Sequence, residues 1–120
     1  MKNFYFTLFL LLLLPFNATQ AKEVNELLEN HGRMYEPGHE EPYTGKYVIY
    51  YESGQKRYEG NFVNGKMEGK QIKWHENGQK SYEANYVKGK EHGIVTSWDR
   101  EGNITKTEIL EHGKVIKEIK

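Results

Sequence analysis

Glu59 and Glu83 stand in matching settings, Tyr58-Glu59-Gly60-Asn61 and Tyr82-Glu83-Ala84-Asn85, 24 residues apart (83 − 59). Two carboxylates can divide acid and base work only when their environments push their pKa values apart. Repeat-equivalent residues share surroundings, so these two are expected to be solvated or hydrogen-bonded strand residues. The five histidines, His31, His39, His75, His92 and His112, contain no helical His-x3-His pair, and no acid–histidine spacing of a zinc motif is present. His75, His92 and His112 fall at or beside turns and are expected to be exposed. There is no cysteine, hence no thiolate ligand, thiol nucleophile or disulfide. Ser53, Ser81 and Ser97 lack the Gly-x-Ser-x-Gly setting of an activated serine. The glycine-rich stretches lack the strand–loop–helix order of a phosphate loop. The expectation is a non-enzyme with no catalytic residues, no metal and no cofactor.

The aromatic residues are a better lead. Tyr50, Trp74 and Trp98 recur every 24 residues, with Tyr58, Tyr82, Phe62 and Tyr86 nearby. Most must form the core, but one thin sheet cannot bury them all. Tyr50, Tyr58, Trp74, Tyr82, Tyr86 and Trp98 are therefore expected to form a partly exposed aromatic strip, a typical binding surface.

The elements that would position this strip follow from the repeat. Gly45, Gly69 and Gly93 share one register, Gly54, Gly78 and Gly102 a second, and Gly65, Gly89 and Gly113 a third. A fixed period in this range marks a repeat architecture. These nine are read as structural glycines. Val48, Tyr50, Tyr58, Phe62, Ile72, Trp74, Tyr82, Ala84, Tyr86, Ile94, Trp98 and Leu110 are all even-numbered, which reads as strands with one apolar face throughout. Asn64-Gly65, Lys88-Gly89 and His112-Gly113 predict two-residue hairpins, and the turns ending at Gly54, Gly78 and Gly102 slightly longer ones. Gly45, Gly69 and Gly93 would let a neighbouring ring lie over the backbone. The fold class is all-β: a single-sheet antiparallel meander of about seven strands built from 24-residue β-hairpin repeats. Ile104, Ile109 and Leu110 break the parity, so a bulge or a frayed register is expected in the last copy. Val115–Ile119 should close the sheet, with Lys114, Lys117 and Lys120 guarding its edge.

Residues 43–120 hold three repeats (about 43–61, 62–85 and 86–109) and a closing strand, 110–120. Residues 22–42 read as a cap: a short helix, with Val24, Leu27 and Leu28 on one face, then a linker. Tyr47, Ile49 and Tyr51 are odd-numbered yet apolar, and the helix is expected to cover them. Before it, Phe4 to Phe16 is almost unbroken apolar sequence after a single lysine, and small residues end at Ala21. That is the pattern of a secretory signal peptide, residues 1–21, and implies a periplasmic or secreted product. Without cysteine a lipid-bearing lipoprotein anchor is not expected. With 17 basic and 17 acidic residues the chain is neutral, which speaks against nucleic acid as a partner.

Phe62-Val-Asn64-Gly65-Lys66-Met-Glu-Gly69 with Trp74 and Gly78, repeated as Tyr86-Val-Lys88-Gly89-Lys90-Glu-His92-Gly93 with Trp98 and Gly102, resembles the MORN repeat in its second, bacterial variant. Pro42-Tyr43-Thr44-Gly45 with Tyr50-Tyr51-Glu-Ser-Gly54-Gln resembles the YwqK-family antitoxin of toxin–antitoxin systems. The resemblance implies a module for protein–protein interaction with an antitoxin-like role. The alternatives are an envelope-associated scaffold that binds lipid headgroups or cell-wall glycan and, after it, an enzyme. Neither the partner nor the oligomeric state follows from the residues.

Overall fold

The computed structural model describes residues 22–119. The expected signal peptide and Lys120 lie outside them. Among the described residues there are eleven strands: β1 (Glu23–Val24), β2 (Leu28–Asn30), β3 (Arg33–Tyr35), β4 (Gly45–Tyr50), β5 (Lys56–Val63), β6 (Lys66–Met67), β7 (Gly69–Trp74), β8 (Lys80–Val87), β9 (Lys90–Trp98), β10 (Ile104–Glu111) and β11 (Lys114–Ile119). Nine form one sheet in the order β1-β4-β5-β7-β8-β9-β10-β11, with β6 continuing the β7 side of β5. From β4 onward it is an antiparallel meander in sequence order. β2 and β3 make a separate hairpin.

The turns are of the expected kinds. Asn64 and Gly65 have φ of 51° and 79°, and Lys88–Gly89 and His112–Gly113 match them. Positive φ at both central residues is the type I′ turn, whose twist suits a two-residue hairpin. At the longer turns the Tyr51 amide donates to the Gln55 carbonyl (2.8 Å) and Gly54 donates back to Tyr51 (3.0 Å); the turns before Gln79 and Asn103 repeat this.

Two expectations are corrected. The first is the capping helix. No helix occurs among the described residues. Val24 instead pairs in parallel with Tyr47 on β4, and Leu28 is 52% exposed in a hairpin strand. The segment covers an edge, where β4 would otherwise present an unpaired row of backbone groups, and leaves the sheet face open. The β2–β3 hairpin docks on the Asn64–Gly65 turn: Met34 donates to the Gly65 carbonyl (2.8 Å), and the Arg33 guanidinium to the Asn64 carbonyl (2.8 Å). Three apolar residues in Val24–Leu28 suggest a helix only if a second turn continues the pattern, and here it does not.

The second correction concerns parity. Residues paired across a ladder lie on the same face. Ile49 pairs with Tyr58, Tyr47 with Gly60 and Gly45 with Phe62. Partners therefore have opposite parity, because a two-residue turn joins residue i to i+3. The three-residue turns would join equal parities, but a bulge after each, at Ile49/Tyr50 and Lys73/Trp74, restores the odd sum. The apolar face thus takes odd positions from β4, β7 and β9 and even ones from β5, β8 and β10. Tyr47, Ile49, Tyr58, Phe62, Gln71, Tyr82, Ala84 and Tyr86 share the first face. Val48, Glu59, Ile72 and Glu83 lie on the second. The bulges expected in the last copy are present, at Ile104/Lys106 and Ile109/Leu110.

The core is thin. Ala84, Val95 and Leu110 form its centre, with Tyr82 and Tyr86 packed over them. Further back, Tyr43, Val48 and Phe62 are buried, and so is Gln71. Of the three glycines expected to lie under a ring, Gly45 does so, since a Cβ there would meet the Tyr43 hydroxyl at 2.5 Å; Gly69 and Gly93 do not, having open space and φ of 77° and 84° instead. The tightest glycine is one the repeat pattern does not mark. A Cβ on Gly60 would lie 1.7 Å from Gln71 Oε1 and 2.5 Å from the Tyr58 hydroxyl.

Gly60→Ala should therefore cost about 1–3 kcal/mol, the usual penalty of overpacking, and lower the thermal midpoint accordingly. Because the clashing atom belongs to Gln71, Gln71→Ala in the same chain should recover part of the loss. Thermal denaturation followed by circular dichroism checks both, and additive effects would count against the contact.

Candidate functional site

An apolar, aromatic-lined concavity lies on the first face, over β4, β5 and β7. It is a groove of about 450 Å³, open to solvent along one side. Tyr47, Ile49, Tyr58 and Phe62 line it, with Met34 and Met67 at one end and Tyr51, Arg57, Lys73, Trp74 and Ser81 towards the other. Its residues come from where the repeats differ. Tyr47 and Ile49 become Gln71 and Lys73 one copy on, and Val95 and Ser97 two copies on. Only the first copy offers two large apolar side chains there, and the absence of a helix leaves them uncovered.

The walls are held firmly. The Tyr47 ring lies 5.6 Å from Tyr58 and 6.0 Å, edge-on, from Phe62. Tyr58 donates a hydrogen bond to Gln71 Oε1, and the Gln71 amide donates to the Asn61 carbonyl (3.1 Å). A buried amide is costly unless satisfied, and the tyrosine and the β5 backbone satisfy this one. Tyr51 donates to the Trp74 carbonyl (2.7 Å), tying one long turn to the next repeat.

Two cations sit at the long-turn end. Lys73 Nζ lies 5.1 Å from the Tyr82 ring centre, and the Arg57 guanidinium 5.6 Å from that of Tyr51. Among the described residues neither has a carboxylate within ion-pair distance, and no Asp or Glu lines the groove. Several lysines elsewhere do have such partners: Lys56 with Glu59 (2.7 Å), Lys80 with Glu83 (2.7 Å) and Lys106 with Glu108 (2.7 Å). Glu59 and Glu83 are thus ion-pair partners of lysines three residues back. The hydrogen bond from Lys56 holds the Glu59 carboxyl below its usual pKa.

The proposed strip divides. Tyr58 lines the groove. Tyr82 and Tyr86 lie beside it on the same face, hydroxyls 3.0 Å apart, and cover the core. Trp74 borders the groove, and its ring carries the Lys56 ammonium at 5.6 Å. Tyr50, paired with Lys56, is half exposed on the second face. Trp98 pairs with Ile104 well away from the groove. Tyr47, Ile49 and Tyr51 were legible as departures from parity, but that departure points equally to a covered patch.

Two of the histidines meet, His92 and His112, with ring centres 5.5 Å apart. His112 sits in a type I′ turn and is exposed, as expected, but His75 and His92 are half-buried rather than exposed. His75 Nε2 approaches the Trp98 carbonyl (2.9 Å), which lends the third long turn the link that Tyr51 gives the second. Among the described residues no cluster of three His, Asp or Glu side chains could hold a metal ion.

Residues 43–64 and 67–88 match the family model of a MORN repeat variant. The match ends at residue 88, whereas the glycine register continues to Gly113. MORN repeats are modules of protein or membrane-lipid interaction. No curated protein and no solved structure matches the chain.

The hydroxyls of Tyr43, Tyr47, Tyr58, Tyr82 and Tyr86 should stay neutral through the physiological range. Burial raises the pKa of Tyr58 and Tyr82 far above the usual phenol value, and raises those of Tyr43, Tyr47 and Tyr86 as well. A folded pKa above the unfolded one stabilises the fold below the unfolded value, about 10, and that stability is lost as the pH rises through the folded values. These phenolates should therefore form only above about pH 10, together with loss of the β-sheet signal. Their ionisation with the sheet intact, seen by ultraviolet titration, would contradict the packing.

Proposed function

We propose that this chain is an exported, non-enzymatic module that binds a protein partner through the groove of Tyr47, Ile49, Tyr58 and Phe62. One observation carries the reading: the concavity is made of the residue types that dominate protein–protein hot spots. Tyr, Trp and Arg head the hot-spot composition, and Met is enriched in interface cores; the groove holds Tyr47, Tyr51, Tyr58, Trp74, Arg57, Met34 and Met67. It is also open along one side. Free small molecules are usually held in pockets that bury most of their surface, whereas an open groove over a stiff sheet suits side chains presented by a second protein. The MORN match is in keeping with this role.

The antitoxin-like, bacterial version of the role rests on the likeness of residues 42–55 to YwqK-type sequences. Export rests on the Phe4–Phe16 apolar run and the small residues before Lys22. The two fit together if the partner acts in the cell envelope.

The test is a crosslinked recovery of partners by the full chain expressed in its own cells. Wild type should recover one protein. Tyr47→Ala and Ile49→Ala should weaken that recovery about thirtyfold, as a hot spot of about 2 kcal/mol requires. Trp98→Ala, outside the groove, should leave it unchanged. Equal loss from all three variants, or retention of lipid or glycan in place of a protein, would favour the envelope-scaffold alternative. Mass spectrometry of the recovered chain should find Lys22 at its start in the envelope or medium; an intact leader in the cytoplasm would refute export.

A further inference from the structure

The groove has direction as well as shape. Tyr58 pairs with Lys73 across β5 and β7, and Arg57, the extra residue of the bulge, precedes Tyr58. Phe62 pairs with Met67. One end is therefore cationic and the other apolar. Phe62 and Arg57 are five strand residues apart (62 − 57), about 17 Å at the rise of a strand. No acidic side chain lines the space between them. Glu26 adds slightly to the raised pKa of Tyr47, behind burial, but does not line the groove.

In a chain of zero net charge this is a local imbalance, and it lies where a partner would dock. Arg57 and Lys73 keep their charges over tyrosine rings rather than against carboxylates. A cation over a ring has its stem held but its donors still available. Apolar surface at one end and available donors at the other are complementary to a segment with the reverse arrangement.

We infer that the groove takes an extended partner segment in which a large apolar side chain is followed or preceded, three to five residues away, by Asp or Glu. The apolar side chain rests on Tyr47, Phe62 and Met67. The carboxylates reach Arg57 and Lys73 at the long-turn end. This rests on the protein-binding reading and adds the chemistry of the partner to it.

Fluorescent peptides with the cores Phe-Leu-Ser-Gly-Glu-Glu, Phe-Leu-Ser-Gly-Gln-Gln and Phe-Leu-Ser-Gly-Lys-Lys test it, with the full chain titrated against each by anisotropy. Their reversed sequences cover the opposite direction, and vesicles of phosphatidylglycerol provide a lipid arm. The acidic peptide, in one direction, should bind at least tenfold more tightly than the neutral one, and the basic one more weakly still. Salt should narrow the difference, since both cations are exposed. Arg57→Glu with Lys73→Glu should invert the order of acidic and basic peptides while leaving thermal stability near wild type, a change that a merely damaged fold would not produce. Equal binding of the three, an order unaffected by charge reversal, or vesicles bound in preference to every peptide would overturn the inference. If no peptide binds while the groove-dependent recovery of a protein partner holds, the acidic–apolar assignment falls and the protein-binding reading stands. If the recovery does not depend on the groove, both fall.

Discussion

Every side chain in this sheet takes its face from the turns. A two-residue type I′ turn pairs residues of opposite parity. A three-residue turn would pair equal parities, were it not followed by a bulge. The alternation of Asn64-Gly65-type turns with Glu52-Ser53-Gly54-type turns and their bulges keeps the sum odd through most of the meander from β4 to β10. The constraint is strict because one residue of slip exchanges the two faces of a strand. It places Tyr58 opposite Ile49 and Tyr82 opposite Lys73, and it separates both from Glu59 and Glu83, which stay with their lysines on the other side.

Within that frame a 24-residue repeat does not make equal copies. The positions at Tyr47, Gln71 and Val95 are equivalent in sequence and do three different things. Tyr47 is a wall of the groove. Gln71 is a buried amide that folds over Gly60 and holds the Tyr58 hydroxyl. Val95 is core. The first copy is aromatic and open, the last aliphatic and closed. The groove follows from this gradient: large side chains stand beside a neighbour that leaves room, and the N-terminal segment spends its few apolar residues on the sheet edge and the first turn.

Charge is sorted in the same way. Neutrality overall conceals a second face where lysines and glutamates pair three residues apart, and a groove end where Arg57 and Lys73 face no carboxylate. Exposed ion pairs contribute little to stability. Their larger effect here is to engage Glu59 and Glu83 on the second face, away from the cations at the groove.

The sequence by itself determined the all-β meander, the positions of the turns, the bulges of the last copy and the closing strand. These depend on local chemistry: glycine where φ must be positive, alternation along a strand, and a period without insertions. It also supplied the aromatic residues from which a binding surface could be made. Only the tertiary structure decided which of them meet. Tyr58 and Tyr50 look alike in the repeat, yet register and bulges put them on opposite faces. Parity within one strand is legible, but parity between strands depends on turn length plus bulge, and the bulge leaves no mark as plain as a glycine. Nor could Glu23–Val24 reveal that it pairs as a strand, because an edge needing cover is a property of the assembled sheet. The cover it does not give to Tyr47 and Ile49 is what leaves the groove open.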